Sequence, residues 1–338
     1  MNCLAGRSTT QRPDTVRTAE RSTPRTSGHP GSGPSEIVCR AVGPLSSPAG
    51  VTELVLPHAG LWPRPCPSGA VGSCTRGTSA DLTALRRAVR GNPVGTAPAP
   101  TDWRAHLRYR WLLGHQLVFC VWQLLARTMV VTTARTRPTA ALVEQAVRLF
   151  DAYSLLLLYS GSCTPDRYAS TVRVDMMAAD PAFSGEWAAD YRAIPTLLRR
   201  IRVTHPDTAA VTLTRAARFN HRVHMSVARR LVPDGVSLLK QASYSARGTT
   251  AAENSVFDDY FLVRRARVCE HTFTAQAIRR LLLVSDDIAA HGLHGSTGAP
   301  QPLVPADREA FDHIDRTAGE LLGWLSEIFT TRKVLRSG

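Results

Sequence analysis

The densest apolar signal in the chain, residues 103 to 125 (WRAHLRYRWLLGHQLVFCVWQLL), calls for a long buried helix around which the rest must pack. Residues three, four and seven apart are neighbours on a helix, so Trp111, His115, Val118, Phe119 and Trp122 share one face. Gly114, next to the histidine, lacks a side chain and lets another group approach the backbone closely. A histidine among aromatics on a buried face is either a satisfied core residue or the polar tooth of an apolar pocket. Helical spacing alone does not choose between them.

The same periodicity continues to the carboxyl end. The first long helix spans about 103 to 134, with Thr101 or Asp102 as its cap, and must stop near Pro138. TAALVEQAVRLFDAYSLLLLYSG follows as a second, very apolar helix ending at Gly161. Residues 162 to 184 read as a loop, and a third helix is expected at about 185 to 203, with Pro195 as a kink point. Asp207 opens a fourth helix, ended by Pro233 and Gly235. A fifth element, about 254 to 291, reads as one long helix or two, and a last helix covers about 306 to 333. A short helix lies at 79 to 92. No strand pattern competes after the first quarter, so the fold class is all-α. Residues 1–77, rich in Ser, Thr, Pro, Gly and Arg, are expected to be a disordered or loop-like extension to a helical domain at 78–338.

Composition excludes several classes. The net charge is +14, yet the only lysines are Lys240 and Lys333 and the arginines are spread along the chain. A nucleic-acid binder gathers its charge into a patch or arm, so no nucleic-acid partner is expected. Arg, His and Gln interrupt even the best apolar stretch before it reaches the roughly 18 apolar residues of a membrane span. The amino terminus lacks the apolar middle of a secretory signal, and the chain reads as cytoplasmic. Seven cysteines with no C-x-x-C pair give neither a disulfide scaffold nor a zinc ribbon, and Cys120 and Cys269 read as small core residues.

The fourth helix carries a second histidine cluster, FNHRVHMS. Leu213, Ala217, Asn220, His224, Val227 and Leu231 recur at steps of three or four, which points His224 toward the core with small residues one turn before it. His221 lies on the flank. A neutral imidazole among small and apolar residues suits an axial haem ligand whose other nitrogen needs one hydrogen-bond partner. Buried histidines more often satisfy hydrogen bonds and bind nothing. Glu144, Glu186, Glu253 and Glu270 lack the inward Glu-x-x-His spacing of a di-iron bundle. Asp258-Asp259 and Asp286-Asp287 read as acidic pairs on mostly solvated faces. No phosphate-binding or dinucleotide fingerprint occurs. Arg247 and Thr249, in the loop after the fourth helix, offer a guanidinium and a hydroxyl suited to an α-carboxylate, although a solvated loop has the same composition.

At DWRAHLRYRWLLGHQLVFCVWQLL and again at RFNHRVHMSVARR, the chain resembles the haem-dependent L-tyrosine 3-hydroxylases of actinomycetes. These are histidine-ligated haem enzymes related to the tryptophan and indoleamine dioxygenases. The resemblance implies a multi-helix, tryptophan-dioxygenase-like bundle holding haem b. It also implies hydrogen peroxide or dioxygen as oxidant and conversion of L-tyrosine to L-DOPA for antibiotic building blocks. Residue by residue it implies His115 as the distal catalytic histidine and His224 as the iron ligand, with His221 the alternative. Trp111, Phe119 and Trp122 would then surround the substrate ring, with Arg247 and Thr249 at its carboxylate. Two other readings stay open: a sibling haem enzyme acting on tryptophan, an indole or a methylated tyrosine, and a helical ligand-binding regulator. The second would need a basic recognition helix, for which the 79 to 92 helix is too short. A homo-oligomer is compatible with all of this.

Overall fold

The computed structural model describes residues 54–56, 78–95, 99–242, 249–266, 268, 270–295 and 305–331. Most of the amino-terminal extension, Arg247 and Cys269 lie outside the described residues. Within them the chain is helical throughout, and the one β pairing is a single bridge between Val55 and Arg264. The helices are α1 (Thr78–Ala88), α2 (Trp103–Ala134), α3 (Ala140–Ser160), α4 (Pro165–Ala169), α5 (Val172–Ala179), α6 (Ala193–Thr204), α7 (Thr208–Leu231), α8 (Leu238–Gln241), α9 (Ala251–Tyr260), α10 (Glu270–His291) and α11 (Pro305–Thr331). The all-α expectation holds.

The long helices begin where short polar side chains satisfy their free amides. Asp102 accepts from the Ala105 amide at 2.9 Å, and Asp207 from that of Ala209 at 3.1 Å. Two differences from the sequence reading have physical causes. Residues 162 to 184 contain α4 and α5, because Thr164 followed by Pro165 is a capped helix start. The third helix begins only at Ala193, preceded by 3₁₀ turns at Gly185–Trp187 and Ala189–Tyr191. Pro195 thus falls in the first turn, where its missing N–H breaks no helical bond, and it marks a start and not a kink.

α2 and α3 form the spine. α2 packs on α3, α6 and α10, while the other side of α3 carries α7 and α11. By length and composition α2 could cross a membrane, but most of its apolar window is buried inside the protein. Leu54, Val55 and Leu56, within the segment read as loop-like, are buried as well. The Gln276 side chain on α10 clamps them, accepting from the Leu56 amide and donating to the Leu54 carbonyl.

The acidic pairs are mostly not solvated. Asp258, Asp286 and Asp287 are buried. Arg265 bridges Asp258 and Asp190, Arg110 pairs with Asp287, and Asp286 accepts from the Val94 amide. Only Asp259 is exposed. Burying a carboxylate is tolerated when a guanidinium or amide meets it, and helical periodicity does not reveal that partner.

Gly114 is required by the α2–α3 contact. A Cβ there would lie 2.1 Å from Ser160 Oγ, 3.1 Å from Tyr159 Cδ1 and 3.3 Å from Ser160 Cβ. The close approach expected at this glycine is therefore to a helix. Gly114→Ala should destabilise the fold by about 1–3 kcal/mol through overpacking. Denaturant melts should show a lower midpoint at unchanged slope, and adding Ser160→Gly should restore much of the loss. A Gly114→Ala variant as stable as the parent would refute the contact.

Candidate active site

From Leu113 to Ala126 every residue of α2 is buried except His115. From Ala152 to Cys163 every residue is buried except Leu157, on α3. On α7, Asn220, Val223, Ser226 and Val227 are buried while His224 between them is exposed. Two of these interruptions, His115 and His224, lie near one another. Gly114 rests on Ser160, while Gly161, next in the chain, is so close to α7 that its Cβ would lie 2.5 Å from Val227 Cγ1. Arg230 holds the junction by donating to the carbonyls of Gly161 and Cys163. The charge of His224 also reaches His115 and helps to lower its pKa. His115 and His224 thus stand near one another, on two helices that both pack on α3.

His115 is held rigidly. Its Nδ1 lies 2.7 Å from the Trp111 carbonyl oxygen, four residues earlier. A carbonyl can only accept, so the neutral ring carries its proton on Nδ1 and leaves the Nε2 lone pair available. The Phe261 ring stacks on one side (centroids 4.6 Å apart, planes at 22°), and Trp111 packs at 4.3 Å and 45°. Burial is the main influence on the ring and drives its pKa down to about 4, against the opposing effect of the Trp111 hydrogen bond. His224 is also shifted down, first by burial and then by the neighbouring charge of His221. A ring open to solvent, yet surrounded closely enough to depress its pKa, lines a crevice. Both imidazoles are neutral at pH 7.

Phe261 is the site residue that the sequence did not reveal. It ends α9 in a turn where Leu262 adopts a φ of 54°, a conformation costly for a leucine. Gln116 donates to the Phe261 carbonyl at 2.9 Å, and Arg280 donates to Gln116 at 2.7 Å. Arg265, with Asp190 and Asp258, ties down the segment that follows. The aromatic run FDDYF was the available signal, but periodicity in α9 says nothing about a partner 146 residues away.

The other expected residues fall out as follows. Trp111 stands beside His115 and against Tyr168, partly buried. Its indole N–H has no acceptor at hydrogen-bonding geometry, although Trp111 is near enough to the Tyr260 phenol to oppose in part the upward pull of burial on that pKa. Phe119 is fully buried, its ring meeting the edge of Phe261. Trp122 is packed with Tyr153 and Tyr191 in the core. His221 is exposed on the flank of α7. Thr249 donates to the Glu186 carbonyl, beside the Thr250–Glu253 capping box that starts α9.

An axial haem ligand must be a neutral imidazole with room beside it. His224 meets both conditions: its pKa is depressed, its ring is exposed, and the small Ala228 is one turn after it and Ala217 two turns before it. The residues present fit a haem, with His224 to hold it and His115 near enough to His224 to feel its charge. A separate open groove of about 790 Å³ on the outer side of α6 and α7, lined by Arg202, Arg215, Arg218 and Arg222, contains neither histidine.

Residues 72–218 match the family model described as SfmD 3-methyl-L-tyrosine peroxygenase. The matched stretch includes His115 and stops before His224. Among curated proteins none matches the chain. The similarity to a peroxygenase family supports an oxidoreductase.

Proposed function

We propose that this protein is a haem-dependent peroxygenase that hydroxylates a tyrosine-type amino acid at the ring carbon next to the phenol, in making an antibiotic building block. The substrates it fits are L-tyrosine, giving L-DOPA, and a ring-methylated tyrosine, the substrate in the name of the matching family model. The observation that carries the reading is the nearness of His115 and His224, two imidazoles with lowered pKa that each interrupt an otherwise buried run. Haem, when bound, supplies cleavage of the peroxide O–O bond and an oxidant strong enough for an arene. His224 would hold it.

The chain's own residues do the rest. The Nε2 lone pair of His115 accepts the phenol proton as the ring is attacked, and Nδ1–H on the Trp111 carbonyl keeps that tautomer in place. Phe261 and Trp111 fix the imidazole plane and keep water from its faces. The overall balance is one peroxide in and one water out, with the second oxygen becoming the new hydroxyl.

One observation favours a reversed assignment. A ligating histidine commonly donates its other nitrogen to a backbone carbonyl, and here His115 is the one that does so. In that reading His115 would hold the iron and His224 face the substrate. The deciding experiment is to purify the protein with haem and supply peroxide with L-tyrosine, 3-methyl-L-tyrosine or L-tryptophan in parallel. A catechol product from either tyrosine supports the proposal. A haem-free protein, or oxidation of tryptophan alone, rejects it.

A further inference from the structure

A second cluster lies on the other side of α2, where it meets α10. His106 Nε2 is 2.7 Å from Asp287 Oδ1, and His291 Nε2 is 3.9 Å from the same oxygen. The two imidazole centroids are 4.8 Å apart, and the donor atoms of all three residues lie within 4.8 Å of one another. Asp287 and His291 are one helical turn apart on α10, and His106 comes from the first turns of α2.

An ion pair between His106 and Asp287 accounts for two members of this group and leaves His291 unexplained. Asp287 does not need it. Its other oxygen is 2.7 Å from Arg110 Nε, and Arg110 is in turn anchored on Ser162 and on the carbonyls of Gly292 and Leu293. The carboxylate is therefore oriented from behind, with Oδ1 turned to both imidazoles. That is how outer groups hold the ligands of a metal. Four ligands about 2.05 Å from a tetrahedral ion stand about 3.4 Å from one another. The observed 2.7 and 3.9 Å bracket that spacing, so modest side-chain rotation suffices.

We propose that His106, Asp287 and His291 bind a divalent late-transition-metal ion, zinc foremost, with a fourth position open to water beside the half-exposed His291. Two imidazoles and a single carboxylate already paired to Arg110 offer too few oxygens and too little negative charge for magnesium or calcium. The ion would tie α2 to α10 on the far side of α2 from the crevice. This inference does not depend on the haem reading.

The test uses the full chain as purified, tag-free, stripped with chelator and titrated calorimetrically with zinc chloride. Unmodified protein should bind one equivalent and melt at a higher temperature when zinc is present. His291→Ala should weaken that equivalent at least tenfold and remove the thermal shift. Its side chain is 44% exposed and its Nε2 is 3.9 Å from Asp287, so the variant should fold, as circular dichroism will verify. His106→Ala should lose the same equivalent. Absence of a stoichiometric zinc equivalent in the parent, or unchanged binding in His291→Ala, would overturn the proposal.

Discussion

His224→Ala is expected to purify without haem, its Soret band gone and its peroxide-driven hydroxylation with it. His224 has both the chemical form and the access that a ligand needs. Burial, and after it the charge of His221, lowers the His224 pKa, so the ring is neutral at pH 7 and its lone pair is free. It is also the exposed member of an otherwise buried stripe on α7. The residue is exposed, so its removal should leave little packing void. The variant should therefore stay folded, with a helical circular dichroism spectrum like the parent's. His221→Ala should keep its Soret band. A normal Soret band in His224→Ala, with loss in His221→Ala, would move the ligand one turn back along α7. Loss in His115→Ala alone would establish the reversed assignment.

His115→Ala should keep haem while hydroxylation falls by about 10²–10⁴-fold, the range expected for loss of a positioned general base. The pH dependence adds an independent check. The folded-state pKa is about 4, below the usual value of 6.5 for histidine. A histidine lowered in this way favours folding while it is neutral. That contribution is complete above about pH 6.5 and is lost as the pH falls toward 4. The same sign governs activity. The base remains available down to about pH 4, so the acid limb of kcat against pH should lie near 4 and not near 6.5. That limb should disappear in His115→Ala. A limb at 6.5 would mean that an ordinary solvated histidine controls the rate. His115→Gln, which offers a carbonyl oxygen but no proton transfer, should retain substrate binding better than activity.

Much of the scaffold was legible before any coordinates. Caps at Asp102 and Asp207 and the stops near Pro138, Gly161 and Pro233 set α2, α3 and α7 to within a few residues, because these signals are local. The weaker spots were also local. A five-residue helix at Pro165–Ala169 is too short to show a period, and Pro195 can begin a helix or kink one. His115 and His224 stood out by residue type and spacing. Their meeting did not, since both helices lean on α3 and a periodic pattern names no partner.

By itself, then, the sequence determined which segments are helical, which face of each is apolar, and that a histidine lies on the buried face of the longest. Those facts follow from 3.6-residue periodicity and capping chemistry, which act within a few turns of chain. Only the tertiary structure decided that His115 is the single break in a buried run, that Phe261 stacks on it, and that Gly114 exists to admit Ser160. It alone brought His106 to Asp287 and His291, turning an acidic pair that reads as solvated into a buried, oriented carboxylate. The physical reason is the same in each case. A residue's own burial tendency is written in its type, but the identity of the group it is buried against depends on how distant helices dock.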